Sequence, residues 1–184
     1  MKVVVAAIVG GLLMFAWGAV AHMVLPFSEN ALKPVPNEAA VIDAVRGNVT
    51  ENGVYVVPYL NYAKASEAEQ QAYVDKIGNG PSGFLVLRMR HDIDMMPELP
   101  IEALSNVLAA LVAALVVGGL GIRGYGGRVG AIFAFGVVAW LSISVSQWTW
   151  YGFSTEFLIS DLVDQWGGWL LAGLGMAAVL KPRK

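Results

Sequence analysis

Three long runs of this chain, 3–25, 103–122 and 129–155, contain no formally charged residue. A helix needs about 20 mostly apolar residues to cross the roughly 30 Å hydrocarbon core of a bilayer. All three runs meet that length, although the apolar core of the third ends near Val145. A fourth run, 165–180, lies between Asp164 and Lys181. At roughly 1.5 Å per residue its 16 positions reach only about 24 Å. The fourth helix is therefore expected to begin near Phe157 and to carry Asp161 and Asp164 into the outer interface. Only 14% of the residues are charged, against about 25% in an ordinary soluble domain, as expected for segments that do not meet water.

The charges that remain are sorted by side. All 14 acidic residues fall between Glu29 and Glu102 or between Glu156 and Asp164. The turn 123–128 carries Arg123 and Arg128 and no acid, the tail adds Lys181, Arg183 and Lys184, and Lys2 opens the chain. Lys and Arg in short loops mark the cytoplasmic side of a membrane protein. The expected fold is a membrane all-α core of four transmembrane helices, N-in and C-in, with a small extracytoplasmic α/β domain inserted between helices 1 and 2. The expected divisions are 1–26 for the first helix, 27–100 for the outer domain, and 101–184 for helices 2–4, with an aromatic outer loop at 147–165. The expected setting is a bacterial inner membrane. Lys2 and Ala19-Val20-Ala21 give the first run some likeness to a cleaved signal peptide. The apolar run continues past that site through Met23, Val24 and Leu25, so the helix is expected to be retained.

The outer domain reads as α-β-α-β. Pro26 ends the first span, and a loop carrying Pro34 and Pro36 is expected to follow. Asn37 caps a helix over 38–46, with Gly47 as its stop. A strand comes next at 53–57. Ser66-Glu-Ala-Glu69 is a capping box opening a helix that ends at Gly78. A second strand is expected at 84–89, after the glycine-rich turn 78–83. A domain this small with a two-stranded sheet has little independent stability, so it is expected to lean on the membrane helices or on a partner.

Several groups of residues bear on function. A polar layer is expected in the outer half of the membrane: His22 on helix 1, Glu102 and Asn106 on helix 2, Ser142 and Ser146 on one face of helix 3, and Asp161 and Asp164 on helix 4. Ionisable groups at such depth often mark ion pathways, proton relays or ligand sites, although solvated headgroup-zone residues give the same pattern. Trp148, Trp150, Tyr151, Phe157, Trp166 and Trp169 read as an interfacial, lipid-contacting belt. Ala7, Gly11 and Gly18, together with Gly126 and Gly130, are small-residue spacings suited to close helix packing, within the chain or between copies. Met89, His91, Met95 and Met96 form a weak soft-metal candidate, opposed by the neighbouring Arg88 and Arg90.

The absence of cysteine excludes disulfides, thiolate metal sites and a cysteine nucleophile. No nucleotide loop, zinc-protease or serine-hydrolase motif occurs, and there is no basic patch for nucleic acid. No cofactor is expected. The partners expected are the bilayer and other membrane subunits or further copies of the chain. The leading expectation is a non-enzymatic accessory or scaffolding subunit of a larger membrane or envelope complex. A small transporter or proton- or cation-handling protein using the polar layer comes second, and a lipid-modifying enzyme third.

Overall fold

A computed structural model describes residues 1–90 and 94–181. It is mostly helical, with one small sheet, and divides into two compact units. Met1–Lys33 and Asp94–Lys184 form a helical unit, and Pro34–Ile93 an α/β unit.

The helical unit comprises α1 (Lys2–Met23), the short α2 (Phe27–Ala31), α5 (Glu98–Gly119), α6 (Tyr125–Ala139), a π-helical turn (Trp140–Ser144), α7 (Val145–Tyr151) and α8 (Thr155–Val179). α5 tolerates Pro100 because it falls in the first turn, where no intrahelical N–H bond is lost. α1 packs against α5 and α8, and α8 packs also against α6, while α5 touches α6 only lightly. The order across the bundle is thus α5, α1, α8, α6. Its interior is built from small side chains, among them Ala6, Ala110, Ala113, Ala114 and Ala172. The largest fully buried side chains are Ile132, Met176 and Val117. Small residues let helix backbones approach closely, and dispersion and packing then hold the contact.

Apolar residues also cover the outside. Val4, Val5, Ile8 and Leu12 are exposed on α1, and Leu104, Leu108, Val112 and Leu115 on α5. A surface helix of a water-soluble bundle carries polar residues on that face. Among the described residues three helices are long and apolar enough to cross a membrane: Lys2–Met23, Glu98–Gly119 and the continuous Tyr125–Tyr151.

The α/β unit contains α3 (Glu38–Asn48), β1 (Gly53–Val57), α4 (Glu67–Asn79) and β2 (Gly83–Leu87). The strands pair antiparallel, with Gly53 opposite Leu87 and Val57 opposite Gly83. The Asn37 side chain accepts from the Ala40 N–H, and Ser66 and Glu69 form the full capping box. Both helices run through the glycines expected to stop them, α3 past Gly47 and α4 past Gly78. Neither glycine adopts a left-handed conformation, so the helix continues. β2 starts and ends earlier than the expected 84–89 and leaves Met89 outside the strand. No described residue from 34 to 90 is buried.

Two local expectations change. The segment after Pro26 forms α2, which packs on α8. The expected outer loop 147–165 is nearly all helix: α7 runs to Tyr151, and α8 starts at Thr155. Gly152, at φ 74°, supplies the left-handed residue that ends α7. Ser154 caps α8 by accepting from the Phe157 N–H at 3.1 Å. A tight reversal with a glycine C-cap and a serine N-cap needs only three residues, so the aromatic stretch is absorbed into the helices.

Candidate functional site

The polar residues of the helical unit gather where α1 ends and α5 and α8 begin. The π-helical turn decides which hydroxyl joins them. Such a turn adds a residue to the helical repeat and rotates the remainder of the helix about its axis. The Trp140 indole N–H donates to the Leu158 carbonyl at 3.0 Å. One turn further along α8, the buried Ser144 donates its hydroxyl to Asp161 Oδ2. Ser142 and Ser146, the expected members, face outward and are exposed. Their hydroxyls bond back to their own helix, Ser142 to the Val138 carbonyl at 2.7 Å and Ser146 to the Ser142 carbonyl at 3.2 Å.

Asp164 lies three residues after Asp161, on the same side of α8. His22 Nε2 stands 3.9 Å from Asp164 Oδ2, with side chains 62% and 29% exposed. When His22 is protonated, that distance and exposure make a loose ion pair, of the kind that contributes little to stability. His22, Asp161 and Glu102 all lie within electrostatic reach of Asp164. Asn106 donates to Glu102 Oε1 at 3.1 Å. The Trp17 indole N–H donates to the Asp164 carbonyl at 3.1 Å, and its ring lies against Gly167. A cavity of about 130 Å³ opens here, lined by His22, Ala31, Leu32, Phe157, Asp161 and Asp164 among others. Sites for organic ligands are several times larger. Two carboxylates and one imidazole lining so small a space can attract a cation and exchange protons. Among the described residues no three His, Asp or Glu side chains are arranged to hold a metal ion.

The aromatic residues separate into two groups. Trp148, Trp150 and Tyr151 are exposed on α7. Trp169 is buried, stacked on Phe135 with ring centres 5.6 Å apart, and Trp166 meets Phe133 and Trp140 edge to face. Trp169 belongs to the interior and Trp166 is half-buried, because α8 begins at Thr155, well before them, and presents both to α6. Phe157 is half-buried against Phe153.

Of the small residues, Ala7 is buried, and Gly11 lies where a Cβ would meet the Val107 backbone. Gly18, Gly126 and Gly130 have open space around them, so no described helix of this chain uses them for close approach. Met95 and Met96 are exposed, and the Met89 N–H donates to Asn52 Oδ1 at 2.8 Å. His91 lies outside the described residues.

Sequence reasoning missed Ser144, Trp17 and Trp140. Hydroxyls at 142, 144 and 146 alternate across both helix faces, and only the π turn selects between them. The two tryptophans carried a weaker signal: Trp17 is the one indole of α1, and Trp140 stands eight residues before Trp148 in the helix that continues to Tyr151. Comparison with family models, curated proteins and solved structures gives no match.

Proposed function

We propose that this chain is a four-crossing integral membrane protein acting as an accessory or scaffolding subunit of a larger membrane complex. The fourth crossing is α8, whose 25 residues span about 37 Å. It is supported by the place of α8 between α1 and α6. Both termini and the 123–128 turn face the cytoplasm by the Lys and Arg bias of the short connections, and the α/β unit lies outside, in the setting of a bacterial inner membrane. One observation carries the scaffolding role: among the described residues the 34–93 unit has no interior of its own. Val41, Ile42, Val54, Tyr59, Val74 and Val86 are all exposed on it. A unit of about 60 residues with no described side chain buried lacks the usual driving force for folding. A protein surface that covers it supplies that force.

The second reading is cation or proton handling, favoured by the Ser144–Asp161 and His22–Asp164 contacts beside the small cavity. One comparison separates the two. Amide hydrogen exchange of the 34–93 unit is measured in native membranes and again on the chain stripped to a solitary species in detergent. The scaffold reading expects protection of β1 and β2 in membranes and its loss in the solitary chain. Equal protection in both preparations overturns it. In the same preparations, pH-dependent cation uptake that is unchanged by Asp161→Asn and His22→Ala removes the second reading.

A further inference from the structure

At the opposite end of the helical unit, a cavity of about 840 Å³ opens beside the α5–α6 turn. Its polar wall is cationic: Lys2, Arg123, Arg128 and Lys181 line it, and no carboxylate does among the described residues. Its other wall is apolar, with Val3, Leu115, Val117 and Leu180 leading toward the bundle core. Gly118, Gly119 and Gly121 contribute no side chain to fill the space.

Arg128 is the decisive residue. It is buried, and among the described residues its guanidinium bonds to main-chain carbonyls alone. Nε and Nη2 donate to the Ala177 carbonyl at 3.2 and 3.1 Å, and Nη1 donates to those of Ile122 and Arg123 at 3.2 and 2.6 Å. Carbonyl dipoles satisfy the donors without cancelling the charge. A full positive charge of low solvent access therefore stands at the cavity wall, joined by three more cations. Such a site attracts an anion. An ion alone would leave the apolar wall uncovered, whereas an amphiphile covers both.

We infer that this cavity holds the phosphate of an anionic phospholipid, with an acyl chain against Val3, Leu115 and Leu180. Basic pockets between membrane helices on the cytoplasmic side recognise such headgroups. The lipid source rests on the membrane reading above; the phosphate chemistry rests on the cations alone.

The test is native mass spectrometry of the full detergent-solubilised chain, titrated separately with phosphatidylglycerol, phosphatidylcholine and inorganic phosphate. Arg123→Gln with Lys181→Gln is the variant, since Arg123 and Lys181 are exposed, and thermal melting confirms that it folds. The expected result is one retained phosphatidylglycerol, little phosphatidylcholine, and no displacement by inorganic phosphate. The double variant should weaken phosphatidylglycerol binding by about 25-fold, roughly fivefold for each cation removed. Displacement by inorganic phosphate alone would support the phosphate site but overturn its lipid source. Equal retention of both lipids, or binding unchanged in the variant, would overturn the inference entirely. Because the measurement is made in micelles, its failure says nothing of orientation, which is read separately from protease access to the carboxy tail in intact cells.

Discussion

Gly136 in α6 lies so close to α8 that an added Cβ would stand 2.6–2.7 Å from Trp169, whereas Gly47 in α3 has nothing within 4 Å. The contrast extends to the whole of both units. The helical unit buries glycine, alanine and a few large side chains at seams between long helices, and joins distant segments by side-chain bonds such as Arg128 to Ala177 and Trp17 to Asp164. Side-chain bonds in the α/β unit are mostly local. Asn48 bonds to Ala44, Tyr55 to Glu51, Ser66 to Glu69, and Gln71 to Asp75. One unit is held by tertiary packing, and the other by the local rules of its helices and a five-residue strand pair. The lesson is that apolar content does not by itself make a core. Among the described residues of the α/β unit, apolar side chains are plentiful but none is buried.

The largest expected effect breaks the seam. Gly136→Leu forces Trp169 or the α6 backbone to move, because its Cβ meets the ring and Cβ of Trp169 and not a flexible chain end. Overpacking of this kind costs about 1–3 kcal/mol, and the rigid neighbour places it at the upper end. Thermal unfolding in detergent should show a lowered midpoint. Gly47→Ala should act with the opposite sign, adding about 0.5–1 kcal/mol to α3 through lower chain entropy and better helix propensity. If both substitutions destabilise equally, the two units are not built on different principles.

A smaller effect is expected at the cationic end. The Ala177 carbonyl belongs to the last turn of α8, where carbonyls lack helical partners. Arg128 fills that role and brings positive charge to the helix C-terminus. Arg128→Gln should cost about 2 kcal/mol, read as roughly 30-fold faster amide exchange in the last turn of α8. No increase there would mean that the bonds are incidental to the helix end.

Much of the helical unit was legible in the sequence because membrane-length apolar runs leave few alternatives. The capping signals of the α/β unit were legible because Asn37 and Ser66 act on residues three positions away. The reversal at 152–154 was obscured by the aromatic residues around it, which resemble an interfacial loop in composition. The choice of Ser144 over Ser142 and Ser146 depends on one extra residue in a helical turn, set by how Trp140 and Ser144 dock on α8. That is a tertiary event, invisible to periodicity. Gly126 and Gly130 have the spacing of a packing motif but no neighbour, whereas Gly136 and Gly167 have neighbours but no motif. Spacing identifies surfaces that permit close approach, and the partner helix determines which are used.

The finest discrimination between the units comes from α4. If local bonds alone hold this helix, a local change should be felt in full. Ser66 accepts from the Glu69 N–H, and the Glu69 carboxylate accepts from the Ser66 N–H at 2.8 Å and from its hydroxyl. The backbone N–H of Ser66 is the larger cause, and its hydroxyl the second, of a Glu69 carboxyl held below the usual range. A lowered folded-state value means that the contribution of Glu69 is present above the ordinary carboxylate range and is lost as pH falls through the lowered value. Ser66→Ala should cost about 1 kcal/mol of local helix stability, seen as roughly fivefold lower exchange protection across α4 at neutral pH. In Glu69→Gln the acid-dependent part of that protection should vanish. Should Ser66→Ala leave α4 protection unchanged, the helix would be held by something other than its own cap, and the contrast between locally held and packed units would fail at its most direct point.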